Sequence, residues 1–493
     1  MFNKDTLSKD FFSSLVVFLI AMPLCLGVAI ACGVDPIKGI FTGIIGGVIV
    51  GIFSGCPLQI SGPSAGLTVM VLQIVERYGP QALIPLGFIV GALQLATGTF
   101  KIAHFFQATP PSLLKAMLSG VGALIVMSQT YILFNLPMSS NGLENLAGLP
   151  QIFNNIFSMN LTDIQIHSGI VGIMVICILV AWNFGKSQFF ELIPGPLVSI
   201  TAAAALVYFM GWDDLKMVTL PKDIFGEAFN VDYLGAFSKV DMGFVFQAMG
   251  FAFIATVETL LCVSAVDKMA QSTSNYNKQI KVLGFGNMIT GFMGAIPVVG
   301  VIVRSAANIE FGAKTRLSSI LHGTWIGLFL LLPGVLNLIP IAALAGLLIY
   351  TGFKLLDIPH LLDYIKNYNK TSLIFFVTFF LTIGMNLLAR VIAGFITAVL
   401  ILVFDVLKFD LEVQEEGENK LLKFNGKLSF LDLPVVSKKL QNQNLEGASN
   451  LEICLREVEY LDPAMSEYIE ELKDKLEAQG KKIEIKYSKL NVH

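Results

Sequence analysis

Two apolar stretches of this chain are interrupted in the same way, one in each half. The first reads Gly55-Cys56-Pro57-Leu58-Gln59-Ile60-Ser61-Gly62-Pro63-Ser64-Ala65-Gly66-Leu67-Thr68. The second reads Gly294-Ala295-Ile296-Pro297-Val298-Val299-Gly300-Val301-Ile302-Val303-Arg304-Ser305-Ala306-Ala307-Asn308. In each, Gly and Pro break a hydrophobic region of membrane length, and a short helical pattern opening on small or hydroxyl residues follows. Inside lipid every backbone N–H and C=O needs a partner within the protein, so a broken helix is tolerated only where it is packed in protein or lines a cavity. A matched pair of breaks in two halves points to a transporter's binding site, built where two half-helices meet near the midplane.

The distribution of charge supports a membrane reading. Of 493 residues, 54% are hydrophobic and 14% charged, against about 25% charged in a soluble domain. Residues 1–408 hold 21 of the 33 Lys and Arg and 19 of the 36 Asp and Glu; the 85 residues from 409 hold the other 12 and 17. The expected organisation is an all-α polytopic membrane domain over 1–408, a linker over 409–419 and a small α/β domain over 420–493. The N-terminal apolar run from Phe11 reads as a first membrane helix and not a signal peptide, since no small-residue cleavage site follows it. Six scattered cysteines and five dispersed histidines lack metal-ligand spacing, and no basic stripe suits nucleic acid.

Fourteen apolar segments are predicted, at 11–32, 37–54, 64–77, 82–99, 112–136, 166–183, 194–211, 242–264, 280–295, 301–313, 316–337, 339–355, 371–388 and 389–408. The third and tenth are too short to span, which makes them the half-helices. With the N-terminus inside, cytoplasmic loops would carry 14 basic residues and outer loops 6, with Arg304 the last of the 21. That bias follows the positive-inside rule and puts both termini in the cytosol. Gly62 and Gly300 stand 238 positions apart, and the same shift lays segment one on segment eight. Seven segments is an odd number, so the second copy (about 242–408) enters inverted relative to the first (about 8–211). Two half-helices arriving from opposite faces point their N-termini at each other.

The tail changes rhythm. Lys420–Phe424, Leu428–Leu431, Leu451–Leu455 and Lys482–Tyr487 alternate as strands, and Pro434–Gln441 suggests a short helix. An amphipathic helix runs from Pro463 to about Ala478, with Asp462 as its N-cap.

The chemistry concentrates on few residues. Arg304 is a cation at membrane depth, which costs at least about 2.5–3.5 kcal/mol on insertion scales. It sits at a half-helix N-terminus already carrying positive dipole charge, an arrangement that an anion would reconcile. Glu258 is the sole charge in Met242–Val266 and is expected either to pair with Arg304 or to load a coupling proton. The N–H groups of Ser64, Ala65 and Gly66, and of Arg304 and Ser305, are expected to be free at the helix starts and to suit an oxyanion. Hydroxyls of Ser61, Ser64, Thr68 and Ser305 and the amide of Asn308 surround the breaks. Pro23 is expected to break the first helix near this site. No nucleophile–base pair, phosphate loop or metal cluster appears, so neither an enzyme nor a bound cofactor is expected.

In their order, Ala21-Met22-Pro23-Leu24, Gln59-Ile60-Ser61-Gly62-Pro63-Ser64-Ala65, Glu258, and Arg304-Ser305 through Gly312-Ala313-Lys314-Thr315 resemble the SulP anion-transporter family over nearly the whole chain. The tail, around Val458-Glu459-Tyr460-Leu461-Asp462, resembles a shortened STAS domain. The resemblance implies a 7+7 inverted repeat divided into core and gate domains, usually a homodimer, moving a small inorganic anion by an elevator-like motion in the cell (inner) membrane. Carried over, the site would include Pro23, Ser64, Ala65, Glu258, Arg304 and Ser305. Leu24 stands where many members have a polar residue, and Cys262, Ile302 and Arg304 depart from the sodium-coupled branch. A proton is therefore expected as the co-transported or exchanged ion in preference to sodium. Pro463-Ala464 replaces the phosphorylatable serine of signalling STAS domains. A sulfate or bicarbonate carrier is expected; a dicarboxylate carrier, or an anion channel or motor on the same scaffold, are the alternatives.

Overall fold

The computed structural model describes residues 4–103, 111–139, 142–158, 160–185, 193–220, 232–366, 370–384, 409–416, 419–428, 436, 450–461, 463–478 and 481–487. Its chain forms two compact units, Met1–Gly394 and Phe395–His493. In the first unit, α1 (Lys4–Ala31) and α2 (Pro36–Phe53) lead to a two-residue strand, β1 (Ser61–Gly62), and a half-helix, α3 (Thr68–Tyr78), opened by a 3-10 turn at Ala65–Leu67. There follow α4 (Leu83–Thr99), α5 (Pro111–Leu133), α6 (Gly142–Phe157), α7 (Asp163–Phe184), α8 (Gly195–Met210) and the short α9 (Tyr233–Ser238). The second half begins with α10 (Met242–Ala270) and α11 (Tyr276–Phe292), then β2 (Val299–Gly300) and the half-helix α12 (Ile302–Glu310). It continues through α13 (Leu317–Phe329), α14 (Pro333–Leu336), α15 (Ile341–Leu356), α16 (Ile358–Lys366) and α17 (Lys370–Gly384). Five of these helices are long and apolar enough to cross a membrane: Thr6–Ala31, Pro36–Phe53, Pro80–Thr99, Asp163–Phe184 and Met242–Ala270. The fourteenth predicted segment lies outside the described residues.

The two breaks meet as an antiparallel ladder, Ser61 opposite Gly300 and Gly62 opposite Val299, all four residues buried. The 238-residue shift that carries Gly62 onto Gly300 carries Ser61 onto Val299, and so exchanges the two pairs of the ladder. It also lays α1 almost exactly over the bounds of α10. Backbone groups left over at the breaks are satisfied by side chains, as burial demands. Thr259 Oγ1 accepts from Gly300 N (3.1 Å), and Ser305 Oγ accepts from Ile60 N (2.9 Å). Asn287 Oδ1 accepts from Val298 N (2.6 Å), while its Nδ2 donates to Val298 O (3.0 Å) and to Gln94 Oε1 (2.7 Å). Asn308 Nδ2 donates to Leu58 O (3.0 Å), and its Oδ1 accepts from Ser13 Oγ and Ser318 Oγ.

Helices pack in two groups. α1, α2, α4, α10, α11, α12 and α13 surround the ladder, and α2 crosses α13 so tightly that a Cβ on Gly323 would lie 2.7 Å from Val48 N. α5 packs on α15 and α17, and α7 on α8 and α15, forming a second bundle that meets the first through α1 against α8 and α15. Pro23 does not break α1, which runs through it from Lys4 to Ala31; this corrects the expected interruption. A proline forfeits one helical hydrogen bond, and here packing on both sides keeps the helix continuous: Ala21, Met22, Cys25 and Leu26 are all buried.

The second unit is a four-stranded sheet in the order β3-β4-β5-β6, from Phe409–Glu416, Asn419–Leu428, Asn450–Leu461 and Lys482–Tyr487. β3 runs antiparallel to β4; β4, β5 and β6 are parallel. α18 (Pro463–Glu477) presents Met465, Ile469, Leu472 and Leu476 to Phe424, Ile453 and Leu455, the period of one helical face. Residues 409–416, expected as part of a linker, form a strand because Phe409, Leu411 and Val413 alternate with polar residues opposite Gly426, Phe424 and Leu422. The expected strands 420–424 and 428–431 are one strand as far as Leu428. Asp462 and the expected helix 434–441, apart from Val436, lie outside the described residues.

Replacing Asn287 by Leu would leave Val298 N–H and C=O and the Gln94 amide without their buried partner, each costing about 1–3 kcal/mol. The expected result is a melting temperature in detergent lowered by about 5 °C or more, read by thermal unfolding of purified protein.

Candidate functional site

Beside the ladder lies a cavity of about 890 Å³. The first helix group contributes Ile20, Leu24 and Val28 from one face of α1, the segment Pro63–Gly66 at the first break, Glu258 and Leu261 from α10, and Val303, Arg304, Ala307 and Glu310 from α12. The second bundle contributes Leu179, Trp182 and Asn183 from α7, Gly195 and Pro196 at the start of α8, and Leu347, Tyr350, Thr351 and Lys354 from one face of α15. The walls are mostly apolar, and charge is confined to Glu258, Arg304, Glu310 and Lys354. The cavity extends from the breaks to the C-terminal ends of α12 and α15.

Arg304 is only 1% exposed. Its Nη1 donates to Cys25 Sγ (3.5 Å) and its Nη2 to Pro63 O (3.3 Å); Nε has no partner. The guanidinium thus reaches from the second half-helix to the first break. Gly62 makes the room: a Cβ there would lie 2.5 Å from Arg304 Nη1. Among the described residues no carboxylate lies within ion-pairing distance of Arg304, so a buried cation is held by neutral groups alone.

Glu258 is instead the partner of Ser64, whose Oγ donates to Glu258 Oε1 (2.5 Å) and accepts from Gly66 N (3.1 Å). Of the two roles expected for Glu258, the ion pair with Arg304 is therefore absent. The hydroxyl that caps the first half-helix also seats the carboxylate near its positive end, and Gly66 leaves space for it: a Cβ there would meet Glu258 Oε1 at 3.2 Å.

The free donors differ from those expected. Gly66 N is occupied by Ser64 Oγ, and Ser305 N donates to Val301 O (3.0 Å). Among the described residues nothing accepts a hydrogen bond from the N–H groups of Ser64, Ala65, Val303 or Arg304. Two helix starts with unengaged donors and a buried guanidinium between them combine hydrogen-bond donors with positive charge, a chemistry suited to small anions.

Ser64, Ala65, Gly66, Glu258 and Arg304 all line the cavity; Pro23 and Ser305 do not. On α1 the cavity face is Ile20-Leu24-Val28, which turns Pro23 into the packed interior. Ser305 follows Arg304 by one helical step, about 100° around α12. Its hydroxyl bonds Ile60 N and Val301 O, with Cys262 Sγ 3.4 Å away, so it braces the ladder. Asn183 and Lys354 also line the cavity. The i, i+3, i+4, i+7 spacing of Leu347, Tyr350, Thr351 and Lys354 was the available signal for that wall.

The sequence pattern of the Sulfate permease family matches residues 7–378. A Bacillus subtilis relative named "Putative sulfate transporter YvdB" is 24% identical over 98% of this chain and 92% of its own. The bicarbonate transporter BicA of Picosynechococcus sp. is 24% identical over 79% of this chain and 69% of its own. Among solved structures, the murine Solute Carrier 26 family member A9 anion transporter in the inward-facing state has a TM-score of 0.82 at 15% identity, covering 100% of this chain and 87% of that one. The transmembrane domain of a cyanobacterial BicA has a TM-score of 0.66 at 21% identity, covering 81% and 98%. With its membrane-length helices and a family match over most of its length, this chain is an integral membrane protein that belongs to the Sulfate permease family of anion transporters.

Proposed function

We propose that this chain is a secondary transporter of small inorganic oxyanions of the sulfate and bicarbonate class, binding its substrate between the N-terminal ends of α3 and α12. The observation that carries this reading is Arg304: a buried cation with no carboxylate partner among the described residues, beside N–H groups of Ala65 and of Arg304 itself from which no described residue accepts. A desolvated guanidinium without a counter-charge is costly, and a bound anion supplies that charge. The relatives named as sulfate and bicarbonate transporters support the substrate class.

In this reading the membrane unit is a 7+7 inverted repeat. The helices around the ladder are the core, the second bundle is the gate, and both termini are cytosolic in the cell membrane of a homodimer. The core slides against the gate as an elevator and carries the anion with it. Glu258 couples a proton: its carboxylate shares the cavity with the anion, and protonating it removes a like charge, so each ligand favours the other. Arg304 takes the place of a sodium ion's charge. The second unit is a STAS-like domain that supports assembly.

Labelled sulfate uptake into proteoliposomes under an inward proton gradient, with unlabelled bicarbonate as competitor, tests the reading. Saturable, gradient-driven uptake is expected; an absence of both sulfate and bicarbonate uptake by folded protein overturns it. Arg304→Ala is expected to weaken anion affinity at least about tenfold, or 1.4 kcal/mol. Gly62→Ala, which displaces the guanidinium, is expected to weaken it in the same direction while Arg304 remains; a binding isotherm on each variant checks this. Glu258→Gln is expected to flatten the pH dependence of uptake while changing anion affinity less than Arg304→Ala does. An unaltered pH profile would remove Glu258 from coupling.

A further inference from the structure

The cavity's four charges are divided unequally between the two helix groups. Glu258, Arg304 and Glu310 all stand on α10 and α12, which pack around the ladder. The second bundle contributes one charge, Lys354, on α15. Lys354 is exposed, near the C-terminal end of its helix, with Nζ 4.8 Å from the centre of the Tyr350 ring, which lines the same wall. Among the described residues no carboxylate ion-pairs with it. The Tyr350 face attracts the ammonium and holds it along the wall.

We infer that Lys354 is a fixed cation of the anion's route that raises affinity from one side of the membrane only. This rests on the proposed transport cycle. Arg304 travels with the ladder and meets the anion in every state. Lys354 belongs to the opposing bundle and faces the anion only while the cavity opens toward the C-terminal ends of α12 and α15. By the distribution of loop lysines that is the cytosolic side. A cation at the mouth of a low-dielectric cavity raises the local concentration of anions, more for a dianion than for a monoanion, and salt screens the effect. Lys354 thus makes the cytosolic KM lower than it would otherwise be and leaves the external KM untouched. A lysine at a helix C-terminus is also favourable to the helix dipole, and a purely structural cation of that kind alters neither KM.

Right-side-out and inverted membrane vesicles carrying the full chain separate these cases. Initial rates of labelled sulfate and, in parallel, labelled bicarbonate uptake are measured at matched amounts of folded protein for the natural sequence, Lys354→Gln and Lys354→Arg. Lys354→Gln is expected to raise KM about three- to tenfold in inverted vesicles, with KM in right-side-out vesicles unchanged. The increase should be larger for sulfate, shrink at high ionic strength, and be largely reversed in Lys354→Arg. An unchanged KM in inverted vesicles, or an equal rise on both faces, overturns the inference while leaving the transport reading intact. Uptake of neither anion by the natural sequence in either vesicle overturns the transport reading and this inference with it.

Discussion

Two pairs of residues hold this membrane unit together at its weakest point. Where α2 and α11 give way to the half-helices, the backbone leaves helical geometry in a setting that offers it no water. The ladder of Ser61–Gly62 on Val299–Gly300 gives those groups partners, and Thr259, Ser305 and Asn287 supply the remainder. The ladder also fixes α3 and α12 relative to each other. Their first turns open on the same cavity because the strands before them are paired, and the donors left over there are the ones a ladder cannot use.

Around that seam the two halves are alike in backbone and opposite in charge. The shift that exchanges the strands carries Gly66 onto Arg304. At the first helix start the side chain is missing and a carboxylate from α10 leans in; at the second a guanidinium reaches out, over the space Gly62 leaves. The cavity is therefore built on a near-symmetric frame but has an acidic and a basic end.

Much of this was legible in the sequence because it breaks local rules. Gly and Pro in apolar runs, one arginine and one glutamate at membrane depth, and a pattern repeated at a fixed shift each stand out against a hydrophobic background. What escaped was set by rotation and by packing between distant elements. Pro23 and Ser305 lie beside cavity residues in sequence but one helical step away in space. The Glu258–Ser64 bond and the unpaired state of Arg304 depend on how α10 meets the first break. Lys354 shares a helical face with Leu347, Tyr350 and Thr351, but that this face and Asn183 open on the cavity depends on how one bundle is laid against another. β3 was hidden because its polar face is strongly acidic and reads as a solvated linker.

The ladder joins residues separated by most of the membrane unit, and this bears on how the protein is made. Ser61 and Gly62 leave the ribosome long before Val299 and Gly300, and until then their backbone groups lack the partners they have in the finished fold. Insertion of the first half must proceed with its half-helix unanchored, at the bilayer surface or sheltered by the insertion machinery. The ladder and the two helix starts it aligns are thus among the last parts of the unit to acquire their shape, and nascent chains that stop short of Val299 have no ladder.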